Sequence, residues 1–276
     1  MSQITVNKIQ GLTSGGNANT IVLNTSSTDV LTVNSSGNVS MSGNLTVDTS
    51  TLHVDSVNNR VGIGTATPAA TLQLSGSSFA SRFDMINTAA GGTGFSMYST
   101  SDSFSQGGDN WMLYHADTTA GIIKANRDGT VVTPNQVSFL GTLGSTQSNV
   151  TGDSTTYTVT GYTETYDVGD NFNGTTGVFT APVTGKYFIS SHIFFDGLNA
   201  SHTSGVHSIV TSNRTYSYNF NPLNMSNVSV NIGVNLSVVA DMDAGDTASN
   251  RLFINFTNKT IDVSASTTKF IGYLLG

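Results

Sequence analysis

Ser36-Gly37-Asn38-Val39-Ser40-Met41 is followed at once by Ser42-Gly43-Asn44-Leu45-Thr46-Val47, two six-residue units of one design, with further Leu-x-Val pairs at Leu31/Val33 and Leu52/Val54. Each unit reads as a turn, with glycine supplying backbone freedom, and then one very short strand whose two apolar side chains, spaced by two, face one way. Two apolar residues per strand cannot build a core. Burial worth about 25 cal/mol per Å² does not offset the roughly 1–2 kcal/mol per residue lost on ordering the backbone, so one copy of this segment is not expected to fold alone. Identical copies wound around a common axis supply the missing half and close the sheet edges. The expectation is an intertwined trimeric β stem with Val39, Met41, Leu45 and Val47 between the chains.

Composition points the same way over all 276 residues. Charged residues are only 10% of the chain, Glu164 is the single glutamate, and Ser, Thr, Asn and 29 Gly dominate. Helices draw on Glu, Lys, Ala and Leu, whereas Thr, Val, Tyr and Phe suit strands, so the fold class expected is all-β. The net charge of −7 opposes phosphate backbones and anionic lipid surfaces, which argues against a nucleic-acid partner. No run approaches the roughly 20 apolar residues of a membrane span, so no membrane insertion is expected. Met1-Ser2-Gln3-Ile4 lacks the basic and apolar parts of a signal peptide, which points to synthesis in a cytoplasm. With no cysteine, stability outside a cell would have to come from packing and oligomerisation.

Four regions follow from the pattern. Residues 1–30 read as an attachment arm, with Ile4, Val6 and Ile9 as its apolar contacts and a Gly/Asn/Thr/Ser-rich joint from Thr13 to Thr20. Residues 31–75 are the repetitive stem, which ends in Asn59-Arg60-Val61-Gly62-Ile63-Gly64-Thr65-Ala66-Thr67-Pro68. That phrase resembles one found in bacteriophage tail-fibre and related surface-fibre proteins, where it closes a stem and leads into a bulkier domain. Gly62 and Gly64 lack the third glycine and following helix of a phosphate-binding loop. Residues 76–133 gather Phe79, Phe83, Phe95, Tyr98, Phe104, Trp111 and Tyr114 and read as a small β domain with its own core, closed by a hairpin at Arg127-Asp128-Gly129-Thr130. Trp111 belongs to that core or to a chain interface, with a sugar-stacking platform as the other reading.

Residues 134–276 carry a second resemblance. Phe179-Thr180-Ala181-Pro182-Val183-Thr184-Gly185-Lys186-Tyr187-Phe188-Ile189-Ser190 is similar to the signature of the globular head of complement component one, subunit q, and its tumour-necrosis-factor-like relatives. In the expected order stand Pro134-Asn135-Gln136-Val137-Ser138-Phe139, similar to the opening strand, Asp243-Ala244-Gly245-Asp246, similar to a late turn, and Phe270-Ile271-Gly272-Tyr273-Leu274-Leu275, similar to the closing strand. The resemblance implies a ten-stranded jelly roll that assembles as a tight homotrimer with Phe270, Tyr273 and Leu275 near the threefold axis, in a strand buried on both sides.

No catalytic constellation stands out. A Gly-x-Ser-x-Gly elbow and cysteine are absent, the Asp residues are dispersed around one Glu, and His202 and His207 lie five apart, on opposite faces if on one strand. Asp241/Asp243/Asp246 and Asp167/Asp170 read as solvated turns, without the spacing of a calcium loop. No enzyme, metal or cofactor is expected. Segments 199–205 and 219–227 carry polar and aromatic neighbours suited to contact, so Asn199, His202, Arg214, Asn219 and Asn221 are the candidate host-contact residues, while Tyr216, Tyr218 and Phe220 alternate as a core face. Together with the two resemblances, these features imply a trimeric tail fibre of a virion, assembled in host cytoplasm, its arm on a tail or capsid protein and its tip on a host surface glycan or protein. The alternatives are a capsid decoration or head fibre and a fibre-borne glycan-degrading enzyme.

Overall fold

In the computed structural model the residues described are 21–25, 28–33, 38–78, 80–103, 108, 110–115, 120–222, 231–265 and 267–276. Among them lie twenty-five strands, and the chain divides between Val132 and Thr133 into two compact units. The expected virion contacts Ile4, Val6 and Ile9, and the aromatics Phe79 and Phe104, lie outside the described residues.

The first unit begins with an antiparallel meander of β1 (Ile21–Thr25), β2 (Thr28–Val33) and β3 (Val39–Met41), so β2 runs across the expected end of the arm at residue 30. A four-stranded sheet follows: β4 (Leu45–Val47), β5 (Leu52–Asp55) and β6 (Arg60–Ile63) pair antiparallel, and β7 (Leu72–Leu74) joins β6 in parallel. Short side chains make the turns: Asp48 and Thr49 adopt φ of 46° and 51°, and Asp55 Oδ1 accepts from the amides of Val57 (3.0 Å) and Asn58 (3.1 Å). Gly64, at φ +78°, is required by close approach, since a Cβ there would meet Ser75 O at 1.9 Å. Strand partners in the stem are thus supplied within one chain, because turns this short favour hairpins. Side-chain cover is not supplied: Val39 is 63% exposed, and Met41, Leu45, Val47, Ile63 and Leu72 are exposed as well.

Five strands form the next sheet, in order β12-β11-β10-β9-β8: β8 (Ala80–Ile86), β9 (Gly94–Thr100), β10 (Trp111–His115), β11 (Ala120–Ala125) and β12 (Val131–Val132). The β11–β12 turn is the hairpin expected at Arg127–Thr130, with Gly129 at φ +87° and Asp128 Oδ1 accepting from Thr130 N at 2.9 Å. Register places Phe83, Met97, Leu113 and Ile123 in one cross-strand row, and Ser99, Trp111, Ala125 and Val131 in another on the same face. The opposite face holds Arg82, Asp84, Ser96, Tyr98 and Met112, tied by the Arg82–Asp84 ion pair (2.9 Å) and a Ser96-to-Asp84 hydrogen bond (2.6 Å). Met112 and Ser96 are buried, whereas Phe83, Met85, Trp111 and Val131 are exposed. Among the described residues no second sheet covers this apolar side, so the expected core of its own is not seen there.

The second unit is a two-sheet sandwich. Its first sheet has seven strands, β13 (Ser138–Leu143), β14 (Gln147–Thr151), β16 (Tyr162–Val168), β19 (Gly185–Asp196), β22 (Ile232–Met242), β24 (Ile261–Val263) and β25 (Lys269–Leu274). The second has six, β15 (Thr156–Thr158), β17 (Phe172–Asn173), β18 (Val178–Thr180), β20 (Gly205–Thr211), β21 (Thr215–Phe220) and β23 (Thr247–Ile254). Two- and three-residue strands raise the number above the expected ten. The quoted landmarks fall at defined places: Pro134–Phe139 leads into β13, Phe179–Ser190 spans the end of β18 and the start of β19, Asp243–Asp246 turns β22 into β23, and Phe270 to Leu274 lies in β25, between β13 and β19.

Inward-facing positions of both sheets fill the sandwich. Phe139 stacks on Phe172 (4.5 Å between ring centroids) and Phe179 (4.8 Å) and meets Phe270 edge-on (5.3 Å), with Tyr187, Ile189, Ile209 and Leu252 also fully enclosed. A polar network crosses this core. Tyr162 donates to Asn250 Oδ1 (2.9 Å), Asn250 Nδ2 donates to Ser191 Oγ (2.7 Å), and Ser191 Oγ bonds His207 Nε2 (3.0 Å). Burial pushes the His207 imidazole down to about 4, with nearby His192 acting in the same direction, and raises the Tyr162 phenol.

Candidate interaction surfaces

The outer face of the seven-stranded sheet is built by register. Val239, Phe188, Tyr273 and Ser138 stand in one row, and Ser237, Ser190, Ile271, Leu140 and Tyr166 in the next. Val239 (55% exposed), Tyr273 (40%), Tyr166 and Leu275 are open to solvent, and Phe188 packs on Tyr273 at 5.2 Å. A third row is polar, with His192 Nδ1 bonded to Asn235 Oδ1 (2.7 Å), and Ser190 bonds Ser237 at 2.8 Å. One end of this face is thus an apolar patch and the other is polar and hydrogen-bonded.

This geometry sorts the expected trimer residues. Tyr273 and Leu275 are on the open face, whereas Phe270 points inward and is fully enclosed by its own chain. Its place in a chain interface is corrected, since alternation along β25 sends residues 270 and 273 to opposite sides. Val239, Phe188 and Tyr166 belong to the patch and were missed by sequence reasoning. The signal that could have found them is the apolar alternation of β22, where Val238 and Val239 break a two-residue period with one valine facing out.

Of the expected host contacts, Arg214, Asn219 and Asn221 are exposed on or beside β21, the edge strand of the six-stranded sheet, and Asn199 is exposed in the loop before β20. His202 is corrected: it is 0% exposed, its Nδ1 accepts from Asn199 N at 3.0 Å, and its ring meets Phe256 edge-on at 5.8 Å. The imidazole pins the loop from inside, and burial lowers its proton affinity. Tyr216, Tyr218 and Phe220 share one face as expected: Phe220 is in the core and Tyr216 packs against it half-buried, whereas Tyr218 is exposed while stacking on Phe220 at 6.0 Å.

A cavity of about 740 Å³ opens where β16, β17 and β18 meet, lined by Glu164, Asp170, Asn171, Asn173, Thr176 and Thr180 among others. Its walls are fixed by local bonds: Glu164 Oε1 accepts from Gly174 N (2.9 Å), Asp167 Oδ2 from Phe172 N (2.7 Å), Asn173 Oδ1 from Thr176 N (3.0 Å), and Asn171 O from Thr180 N (2.9 Å). Asp170 holds φ +56° at its rim, a conformation that Asp and Asn tolerate better than most residues. Sequence spacing hid this bowl, since Asp167 and Asp170 read as turn residues and nothing local tied Glu164 to Asn173.

Ser191 and His207 have the spacing of a nucleophile and its base, but both are enclosed, and no substrate reaches them. Among the described residues no group of three or more His, Asp or Glu is arranged to hold a metal ion, and no helix is long and apolar enough to cross a membrane.

No family model and no curated protein matches the chain. Solved structures do match it over half its length. They include the globular domain of zebrafish complement 1qA protein (18% identity, 51% of this chain, 98% of that chain, TM-score 0.37) and murine APRIL at pH 8.5 (13%, 51%, 99%, 0.37). Eiger TNF from S. frugiperda is a third (10%, 51%, 94%, 0.38). At these identities and scores the sandwich assignment rests on the strand registers above, and the chain is an all-β protein that is similar over half its length to complement-head and tumour-necrosis-factor folds.

Proposed function

We propose that this chain is a homotrimeric structural fibre of a bacteriophage virion, non-enzymatic, with an N-terminal attachment arm, a β stem and a tip that adheres to the host cell surface. One observation carries the reading: apolar side chains stand uncovered in the stem (Val39, Leu45, Leu72), on the middle sheet (Phe83, Met85, Trp111) and on the sandwich (Val239, Tyr273, Leu275) of the same chain. Exposed apolar surface on this scale marks interaction sites. Covering a half-exposed Val, Leu or Phe gains about 1 kcal/mol per side chain, so neighbours of the same kind supply a large part of the stability. The number three comes from the resemblance of the tip landmarks, and the tail from the Asn59–Pro68 phrase. Three identical tips raise avidity by about 10²- to 10⁴-fold over one.

Light scattering on the purified full chain tests the assembly. Three chain masses per particle is expected, and a well-folded monomer at micromolar concentration refutes it. A Val239→Asp/Tyr273→Asp variant, which places two unpaired charges in the patch, is expected to dissociate with unchanged circular dichroism. Labelling intact particles tests the location: signal at the tail is expected, and signal on the capsid shell replaces the tail fibre with a head fibre.

A further inference from the structure

The bowl at the β16–β17–β18 corner differs from the apolar clefts that hold most small ligands. Pockets of 300–1,000 Å³ that take drug-like molecules are lined mainly by hydrophobic side chains with a few polar groups. This one, about 740 Å³, is lined by carboxylates, amides and hydroxyls, and Phe172, the aromatic in its wall, turns its ring into the core against Phe139. Glu164 commits only Oε1 to Gly174, and Asp170 has no partner among the described residues, so strong acceptors remain open at the rim. Thr176 and Thr180 add hydroxyls that both donate and accept, and Asn171 and Asn173 add amides.

That inventory selects a ligand by elimination. Two carboxylates with no lysine or arginine in the lining repel anions, including phosphorylated and sialylated groups. Too little apolar surface faces the cavity for a lipid or a hydrophobic peptide. The lining holds two carboxylates, and among the described residues no group of three or more His, Asp or Glu is gathered to hold a metal ion. What remains is an uncharged molecule dense in hydroxyls, each able to donate to a carboxylate and accept from an amide or hydroxyl. The walls are held in place before any ligand arrives, by the β17–β18 hairpin, by β18 pairing with β23 and by Phe172 in the core, which lowers the ordering cost of binding.

We infer that this bowl binds a neutral saccharide. The inference rests on the adhesion reading above and names its ligand class and site, away from Arg214 and the β21 edge. Without a stacking ring, each site holds its sugar by hydrogen bonds alone, so single-site binding is weak and adhesion depends on several copies engaging together.

The test is a glycan array of neutral and acidic oligosaccharides probed with the full chain, the Asp170→Asn/Thr180→Val variant and, separately, Glu164→Gln. Binding confined to neutral glycans is expected, with at least tenfold weaker signal for each variant at unchanged oligomer mass. Binding to acidic glycans alone, no binding to any neutral glycan, or variants that bind as well as wild type overturns the inference. Adsorption to a panel of bacterial cells separates the two claims. Wild type and variants adsorbing equally sinks the bowl and leaves adhesion standing, while sugar binding without adsorption to any cell sinks adhesion and leaves the bowl.

Discussion

His207 offers a quantitative test of how the sandwich is built. Its imidazole is fully enclosed, Nε2 is bonded to Ser191 Oγ at 3.0 Å, and Nδ1 has no hydrogen-bond partner. Ser191 bonds it and links it to Asn250 and then Tyr162, His192 of β19 lies near, and Tyr218 of β21 is its cross-strand partner, none of them a carboxylate that could balance a positive ring. Burial therefore holds the folded proton affinity down at about 4, against 6.5 for an ordinary histidine. Above pH 6.5 the ring is neutral in both folded and unfolded chains, and its titration has no effect on stability. Between 6.5 and about 4 the unfolded chain takes up a proton that the folded one refuses, so stability falls as pH falls, by about 1.4 kcal/mol per unit and about 3 kcal/mol in all. Below about 4 both states are protonated and this contribution stops growing. That is a large share of the roughly 5–15 kcal/mol that holds a domain folded.

The measurement is urea unfolding of the full chain at several pH values from 7.5 to 4, followed by near-ultraviolet circular dichroism, for wild type and His207→Gln. Glutamine lowers the baseline at every pH because it refills the site imperfectly. Its profile should nonetheless lose about 3 kcal/mol less than wild type on acidification, and subtraction removes the contribution of His202 and the carboxylates. Oligomer mass is checked at each pH, because mass action contributes to apparent stability. Parallel profiles for the two proteins would refute the account of His207 as a neutral, uncompensated core histidine.

Other residues give sharper structural tests. Phe270→Ala removes an enclosed ring from the Phe139–Phe172–Tyr162 cluster and is expected to cost about 3–5 kcal/mol, read as a fall in urea midpoint; a cost below about 1 kcal/mol would place the ring outside the core. Gly177→Ala meets Val159 O at 2.2 Å with φ +68°, whereas Gly245→Ala has open space at φ +93°. The first should therefore destabilise well beyond the second, whose cost is the left-handed backbone alone, about 1 kcal/mol; equal thermal shifts would contradict the close approach.

Local chemistry is what the sequence carried on its own. Alternating apolar residues and Asn, Asp and Gly turns placed short strands at Val39–Met41 and Leu45–Val47, the hairpin at Arg127–Thr130 and the strand containing Phe270, because strand period and turn conformation depend on neighbours a few residues apart. Residues far apart in the chain required the fold. The Tyr162–Asn250–Ser191–His207 network joins positions up to 88 residues apart, Val239 gains its meaning only beside Phe188 and Tyr273, and the bowl exists only once Glu164 is carried against Gly174. His202 shows the limit most plainly: a polar loop suggests exposure, but whether an imidazole faces water or Phe256 is set by what the other strands bring over it. The single middle sheet shows the same thing in reverse, since aromatic content signals surface to be buried and only tertiary packing decides whether its own chain supplies the cover.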